Sequence, residues 1–362
     1  MKQLFVFFII TFYSTFTIAQ TTFAGIEIGS KGVKFTVLTF NKGQNGRVWF
    51  FSEMEKTKNT DVISGSASAI AETAAAVKNF SDTAQRKFNI PTHRIIIVIS
   101  SGAMQELNKK EKTKDLATAI RNELATPNQT IYFVTPEQEG KFTAISLIPR
   151  KELDRAVVID IGSGNTKGGY FADNSYKNFE AITFPLGTKT LTKEIKALNP
   201  ENFNDFVDKT EKHIKNKVKK DFMEEIERKP AVLNRNMVYL SGGIVWAVNS
   251  VMHPENAKEE YSTLTLKDVE AFKKKLVKDY DKMFEIDTKK MTADVSAEAH
   301  KNITNVKNTF DKESLLAGSL LLQTTMKALE QQSDKKEYQF YKYSSWSWLT
   351  SVVLLEFFDQ IK

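Results

Sequence analysis

The sequence predicts an α/β protein in which two similar domains face each other across a cleft. Two segments, residues 25–38 and residues 157–171, each contain an apolar strand, a turn of small residues and a returning strand. Aligned without gaps, EIGSKGVK from Glu27 matches DIGSGNTK from Asp160, with an acid, Ile-Gly-Ser and a lysine at the same offset. A third strand, within residues 237–248, runs into two glycines and then a helix. The repeated pattern indicates a duplicated unit, with mixed sheets flanked by helices.

The small-residue turns are predicted to bind phosphate groups. Glycine lets the backbone approach a ligand closely, so successive N–H groups can converge on an anion. The acid that ends each strand, Glu27 or Asp160, can hold a divalent cation or orient a water molecule beside that anion. The candidate phosphate-binding residues are Gly29, Ser30, Lys31, Gly32, Gly162, Ser163, Gly164, Asn165, Thr166, Gly242 and Gly243. One such turn alone is also typical of an ordinary tight hairpin, and it is the repetition that favours phosphate binding.

Length and composition indicate a globular protein and are compatible with an anionic ligand. With 362 residues, of which 41% are hydrophobic, the chain is long enough for two domains with a large buried core. Its 51 lysines and arginines exceed its 44 aspartates and glutamates, and a net charge of +7 suits an anionic ligand. No block of interleaved basic and aromatic residues indicates nucleic-acid binding, so we expect none. The absence of cysteine excludes disulfides and thiolate chemistry.

Residues 1–19 are predicted to be a secretory signal peptide. Lys2 supplies a positive start, residues 4–16 are nearly all apolar or hydroxylic, and Ala19 is a small residue at the cleavage position. An uncleaved anchor and a buried segment are the alternatives. Cleavage would place the mature protein outside the cytoplasm, periplasmic or secreted, with no transmembrane span after signal removal.

The rest of the chain is predicted to form a first domain over residues 20–150 and a second over residues 151–335. Beyond the first hairpin, the first domain should contain strands at 48–51, 94–99 and 131–134, a helix at 62–88, and helices starting at a serine cap near 100 and at Thr135-Pro136. The second should contain helices at 202–227, 266–280 and 315–329 and end in a polar linker at 331–336. Residues 336–362 form an apolar C-terminal tail, too short to span a bilayer, that we expect to pack on a domain or a partner chain.

The paired hairpins resemble those of the actin-like ATPase superfamily, whose two ribonuclease H-like domains enclose a cleft. Within that superfamily the chain is similar to the exopolyphosphatase/guanosine pentaphosphate phosphatase family. The similar segments are TPEQEG at 135–140, FPLGTKTLT at 184–192 and KESLLAG at 312–318. The resemblance implies hydrolysis of a phosphoanhydride bond in polyphosphate or a nucleoside polyphosphate, and it allows a homodimer. It implies that Glu139 is the base for the attacking water, with Asp160 and Glu27 as further catalytic residues that hold Mg²⁺.

The chain departs from the family pattern at three positions. Glu27 stands where the family has aspartate, and Met104 and Gln105 occupy the region where a phosphate-binding arginine is expected. Lys167 stands where the family has an acidic metal ligand, and an ammonium cannot ligate a cation. Either Asp160 and Glu27 hold the metal alone, or Lys167 supplies the positive charge itself. Strand alternation puts Thr166 and Lys167 on opposite faces, so the lysine points either into the cleft or to solvent.

Two alternative functions are compatible with the same residues. Extracytoplasmic apyrases share the hairpins, and both the Ile-Gly-Ser-x-Gly form at residues 28–32 and the Glu139-Gly140 pair are similar to theirs. A phosphate- or nucleotide-binding module that does not hydrolyse its ligand is the other alternative. The missing arginine and Lys167 favour that module, whereas Glu139 favours an enzyme.

Overall fold

The computed structural model describes residues 19–43, 48–126, 129–330 and 336–358. Within them the chain forms two mixed β-sheets, one of five strands and one of six. The first sheet has the order β3-β2-β1-β4-β5 and consists of β1 (Ala19–Gly29), β2 (Gly32–Lys42), β3 (Val48–Asn59), β4 (Ile95–Ile99) and β5 (Ile131–Phe133). The β1–β2 and β2–β3 pairs are antiparallel, and β4 runs parallel to both β1 and β5.

The second sheet repeats this arrangement with one further strand. Its order is β10-β11-β9-β6-β7-β8, with β6 (Ala156–Ile161), β7 (Thr166–Phe171), β8 (Phe179–Phe184), β9 (Met237–Ser241), β10 (Tyr261–Leu264) and β11 (Glu337–Tyr341). The β6–β7 hairpin corresponds to the β1–β2 hairpin, and β9 runs parallel to β6 as β4 does to β1. The predicted two-domain fold with mixed sheets is therefore confirmed.

Helices flank both sheets. The helices are α1 (Ala67–Phe88), α2 (Ser101–Asn108), α3 (Thr113–Leu124), α4 (Pro136–Leu147), α5 (Thr188–Lys196), α6 (Phe203–His213), α7 (Lys219–Glu227), α8 (Gly243–Met252), α9 (Leu266–Lys278), α10 (Ala293–Thr309), α11 (Lys312–Leu329) and α12 (Ser347–Glu356). Alternate apolar residues of β1 and β4, such as Ile26 and Ile97, form one core with α1 and α3. Alternate residues of β6 and β9, such as Ile159 and Leu240, form the other with α5, α8, α9 and α11. Period-two alternation thus gives each sheet an outer core and a separate inner face.

Two helices lie on the inner faces, and each covers the sheet of the other half of the chain. Helix α4 follows β5 of the first sheet, yet its Ala144 and Leu147 pack with Val158 and Tyr239 of the second sheet. The approach is close, because a Cβ built on Gly140 of α4 would lie 2.7 Å from the carbonyl oxygen of Gly168 in β7. The residue that follows Glu139 must therefore be small if α4 is to reach this sheet.

Helix α12 comes last in the chain and covers the first sheet. Its Leu349 and Val353 pack with Phe23 of β1 and Phe40 of β2. The two inner helices also contact each other, since the Ser351 hydroxyl donates to the carbonyl oxygen of Phe142 at 2.6 Å. The predicted tail at 336–362 thus divides between the sheets: β11 is a strand of the second, and α12 is the inner helix of the first.

Most predicted elements are present, with shifted ends. The helix predicted at 62–88 begins only at Ala67, because Gly65 is left-handed (φ +69°) and the Ser66 hydroxyl accepts from the N–H of Ala69. Ser100 occupies the cap position of α2, but its side chain makes no capping hydrogen bond. The strand predicted at 48–51 extends to Asn59, because it pairs with β2 along its whole length. Between α6 and α7, the helix predicted at 202–227 passes through a π-helical turn, Ile214–Val218.

Some predicted segments fall outside the described residues. These are the signal peptide up to residue 18, the linker at 331–335 and the end of the tail at 359–362. Among the residues that are described, no helix is both long enough and apolar enough to cross a membrane.

Replacing Leu349 by alanine is expected to lower the free energy of unfolding by about 2–5 kcal/mol, because the side chain is fully buried between α12 and the first sheet. Denaturant titration followed by circular dichroism measures the change. Leu198→Ala is the matched control, since Leu198 is 49% exposed and its truncation should change stability by no more than about 0.5 kcal/mol. Equal stability of the two variants would contradict the assignment of α12 to the core.

Candidate active site

The two hairpin turns meet across the cleft. The hydroxyl oxygens of Ser30 and Ser163 are 3.2 Å apart. A Cβ built on Gly29 would have no neighbour nearer than 3.8 Å, so the backbone there is not closely packed. Both turns line one cavity of about 280 Å³, to which the predicted residues Gly29, Ser30, Lys31, Gly32, Gly162, Ser163, Gly164 and Asn165 all contribute. The structure therefore brings together the turn residues that the sequence placed far apart.

Helix α5 fixes the second turn. The N–H groups of Thr188 and Lys189 donate to the carbonyl oxygens of Gly162 and Ser163, at 2.9 and 2.8 Å. A Cβ built on Gly187 would lie 2.4 Å from the Gly162 carbonyl oxygen, so only glycine allows this approach. The unpaired N–H groups that begin a helix are thus used here to hold the turn.

Glu139 lies at the start of α4, between the two hairpins. A capping box begins this helix, with the Thr135 hydroxyl accepting from the N–H of Gln138 and the Gln138 side chain accepting from the N–H of Thr135. The Glu139 carboxylate accepts from the N–H of Ser101 at 3.3 Å and from its hydroxyl at 2.5 Å. Asn165 of the second turn donates in turn to the Ser101 hydroxyl at 3.1 Å. Ser101 thus connects Glu139 to both halves of the cleft.

Each hairpin directs an acid and a lysine to the inner face. Register pairs Glu27 with Lys34 and Asp160 with Lys167, so each pair lies side by side on neighbouring strands. The two lysines form ion pairs with different carboxylates. Lys34 lies 3.7 Å from a carboxylate oxygen of Glu55 in β3. Lys167 turns towards the centre of the cleft.

Lys167 bridges two of the predicted catalytic residues. Its Nζ is 3.0 Å from carboxylate oxygens of both Glu139 and Asp160, and 3.4 Å from Oδ1 of Asn165. The alternative in which Lys167 points to solvent is wrong, because only 12% of its side chain is exposed. Burial lowers the pKa of Lys167, but the carboxylates of Asp160 and Glu139 more than offset this, so its pKa is raised and it is charged. Glu27, Glu139, Asp160 and Lys167 are called the carboxylate–lysine cluster below.

Burial has the largest effect on the ionisation of Glu27. Burial raises the pKa of its carboxyl group; Lys34 opposes the rise, and the negative charge of Glu139 adds to it. Lys167 and a hydrogen bond from Trp348 of α12 also stabilise the ionised form. Glu27 therefore carries a proton more readily than an exposed glutamate does.

A second cavity, of about 440 Å³, lies against the same cluster. Gly242, Gly243 and Trp246 line one side, and Ser347 and Trp348 of the C-terminal segment line another. Gly242 has a φ of +105°, and a Cβ there would lie 2.1 Å from the Ile161 carbonyl oxygen. The third glycine motif thus packs on the end of β6 and faces this cavity, away from the one that the hairpins line.

Thr166 does not face either cavity. Its side chain is buried, and its hydroxyl donates to the carbonyl oxygen of Leu186 at 2.8 Å. Strand alternation explains the difference, because Lys167 takes the inner face and Thr166 the outer. Thr166 is therefore placed to hold the second turn rather than to contact a ligand through its hydroxyl.

The cluster does not fit a protein-held Mg²⁺ ion in this arrangement. Among the described residues, no group of three or more histidines and carboxylates could hold a metal. Mg²⁺ requires oxygen ligands at about 2.0–2.1 Å in near-octahedral geometry. Asp160 instead contacts the Lys167 ammonium at 3.0 Å, and burial raises the pKa of the Glu27 carboxyl group.

The paired hairpins, duplicated mixed sheets and inner helices define a two-domain actin-like fold. No family model and no curated protein sequence matches the chain, so the comparison rests on structure alone. A Ppx/GppA family member from Aquifex aeolicus is similar, with a TM-score of 0.60, 18% identity, and coverage of 94% of this chain and 99% of that one.

A second similar structure is an exopolyphosphatase from Cytophaga hutchinsonii. Its TM-score is 0.60 at 13% identity, with coverage of 94% of this chain and 99% of that one. A type II variant of the Aquifex aeolicus Ppx/GppA phosphatase has a TM-score of 0.57 at 17% identity and covers 93% of this chain. At these identities the likeness establishes the fold, and it extends over nearly the whole chain.

Proposed function

We propose that this protein hydrolyses phosphoanhydride bonds in the cleft between its two hairpins. The observation that carries the proposal is the position of Glu139, in the first turn of a helix beside both small-residue turns. Glu139 contacts Ser101 and Lys167 directly, and Lys167 connects it to Asp160. The similar structures described as Ppx/GppA phosphatases and as an exopolyphosphatase support the same class of reaction.

In this proposal the backbone N–H groups of both turns and the hydroxyls of Ser30 and Ser163 hold the terminal phosphate groups. Glu139 orients or deprotonates a water molecule for in-line attack on the terminal phosphorus. Lys167 offsets negative charge as it develops on the phosphate oxygens. The substrate is polyphosphate or a nucleoside polyphosphate, including the nucleoside triphosphate of an apyrase-like reaction.

A non-hydrolysing phosphate-binding module is the second candidate. This candidate is favoured by the contacts that the Glu139 carboxylate already has: two hydrogen bonds from Ser101 and an ion pair with Lys167. These three contacts occupy most of the lone-pair positions of the carboxylate and leave little room for a water molecule. Hydrolysis therefore requires that the incoming phosphate take over some of these contacts.

A phosphate-release assay separates these candidates. Polyphosphate, guanosine pentaphosphate and ATP are each offered with and without Mg²⁺. Release from polyphosphate alone supports an exopolyphosphatase, and release from ATP supports an apyrase-like enzyme. Binding of these compounds without release supports the non-hydrolysing module.

Phosphate binding is expected to weaken as the pH rises through about 8. Burial and the nearby charge of Lys189 lower the pKa of Lys31 to about 8, against an opposing contribution from Asp311. Lys31 is thus charged below this pH and neutral above it, so its attraction for an anion is lost on the alkaline side. Calorimetric titration of inorganic phosphate between pH 7 and 9 measures the change. Lys31→Met should remove this pH dependence, and an unchanged profile in that variant would exclude Lys31 from the site.

The extracytoplasmic location, the homodimer and the bound metal remain predictions. We propose an extracytoplasmic protein because residues 1–19 have the pattern of a secretory signal peptide. A homodimer is proposed from the resemblance alone, and the Mg²⁺ ion that the resemblance implies stays untested. Since the cluster does not fit a protein-held Mg²⁺ ion, the assigned steps involve only residues of this chain.

A further inference from the structure

We propose that the Lys167 ammonium takes the place of a divalent cation in this site and binds the terminal phosphate group of the ligand directly. The identity of that ligand as a phosphate compound rests on the proposed function. The position of the charge rests on the geometry of the cluster alone.

The ammonium is held from three directions. Its acceptors are the carboxylates of Glu139 and Asp160 and the amide oxygen of Asn165, which belong to α4, β6 and the second turn. A lysine ammonium has three N–H donors. Two of them are directed at carboxylates 3.0 Å away, and the third has only the long 3.4 Å contact with Asn165, which a phosphate oxygen can replace. Because each acceptor comes from a different element, the charge has a fixed position and does not depend on one flexible contact.

The ammonium is also within reach of a ligand on the second turn. Lys167 lines both the hairpin cavity and the larger cavity behind it. A Cβ built on Gly162 would lie 3.2 Å from its Nζ, so the charge lies beside the backbone of the turn. An anion on this turn could accept hydrogen bonds from backbone N–H groups and also from the ammonium. The second kind is charge-assisted and therefore stronger.

The same position excludes a second cation. A divalent ion that bound Asp160 and Glu139 would have to displace an ammonium that now lies 3.0 Å from each of them. If both stayed, two positive centres would lie within a few ångströms in a poorly solvated site. In the first hairpin the equivalent lysine, Lys34, lies near Glu55 instead. The central position is thus particular to Lys167.

Manganese binding tests the proposal without reference to activity. The full chain, Lys167→Glu and Lys167→Met are titrated with Mn²⁺, and bound ion is counted by electron paramagnetic resonance. The wild type is expected to bind no ion at the cluster. Lys167→Glu is expected to gain one site, because removing the ammonium frees two carboxylates and the substitution adds a third.

Inorganic phosphate is the second probe, measured by calorimetry. The wild type should bind it equally well in EDTA and in excess Mg²⁺. Lys167→Met should bind it about 10- to 100-fold more weakly, the usual effect of losing a hydrogen bond to a charged group. Lys220→Met is the matched control, because that lysine is 74% exposed on α7, and its binding should equal that of the wild type.

A stoichiometric Mn²⁺ ion on the wild type that Asp160→Asn abolishes would overturn the inference. Phosphate binding that requires Mg²⁺ would do the same. Circular dichroism checks that the variants fold. If a variant does not fold, the Mn²⁺ and phosphate titrations of the wild type still test the inference. Failure of the proposed function looks different: no compound is hydrolysed, yet phosphate still binds without metal and through Lys167.

Discussion

Replacing Glu139 by glutamine is expected to lower the rate of phosphate release by about 10²- to 10⁴-fold, the usual effect of losing a general base. Glutamine has nearly the same size and can still accept from Ser101 through its amide oxygen. It has no negative charge and cannot take a proton from water. Phosphate affinity should therefore change little while the chemical step is lost, and steady-state release assays together with calorimetry distinguish the two.

Glu137→Gln provides the matched control for this experiment. Glu137 lies in the same first turn of α4 but is exposed, so its loss removes a similar charge near the helix start without touching the cluster. We expect its activity to equal that of the wild type. Full activity of Glu139→Gln would remove this residue from the mechanism, and equal losses in both variants would point to helix stability as the cause.

Replacing Gly140 by valine is expected to reduce both stability and turnover. The new Cβ would lie 2.7 Å from the Gly168 carbonyl oxygen, and backbone cannot rotate away as a side chain can. Overpacking of this kind typically costs about 1–3 kcal/mol of unfolding free energy. Relief of the clash requires α4 to move off the second sheet, and Glu139 moves with it. Denaturant titration and a phosphate-release assay measure the two effects.

Gly102→Ala is the control for the effect of adding a methyl group. A Cβ on Gly102 would have no neighbour within 4 Å, and Gly102 lies within helix α2 near the same cavity. Alanine should stabilise the helix by about 0.5–1 kcal/mol, because it loses less backbone freedom on folding than glycine. If Gly140→Val is as stable as Gly102→Ala, the close approach of α4 to β7 is wrong.

The sequence was sufficient to predict the hairpins and their meeting, because both depend on local pattern and on duplication. An acid at the end of one strand and a lysine at the same offset in each copy also determine the Glu27–Lys34 and Asp160–Lys167 pairs. Strand alternation put Lys167 and Thr166 on opposite faces of the sheet, but it did not show which of the two faces the cleft. In the structure Lys167 meets Glu139, which belongs to an element distant in sequence, on the cleft face.

Other features of the site could not be predicted because they are long-range. Ser101 appeared in the sequence only as part of a helix start, and nothing local shows that its hydroxyl meets Glu139. The assignment of α12 to the first sheet depends on packing between residues 23–40 and 346–353, which no periodicity reveals. The hydroxyl of Thr166 lies away from both cavities for a local reason, since its residue type suited phosphate while its strand position directs it to Leu186.

The exchange of inner helices determines how the cleft can open. Because α4 packs on the second sheet, a hinge movement that separates the two sheets carries Glu139 away with Asp160 and Lys167. Such a movement would break the contacts to Ser101 and between Ser30 and Ser163, and also those between α4 and α12. Glu139, Asp160 and Lys167 thus lie on one side of the cleft, whereas Ser101 and Lys31 of the first turn lie on the other.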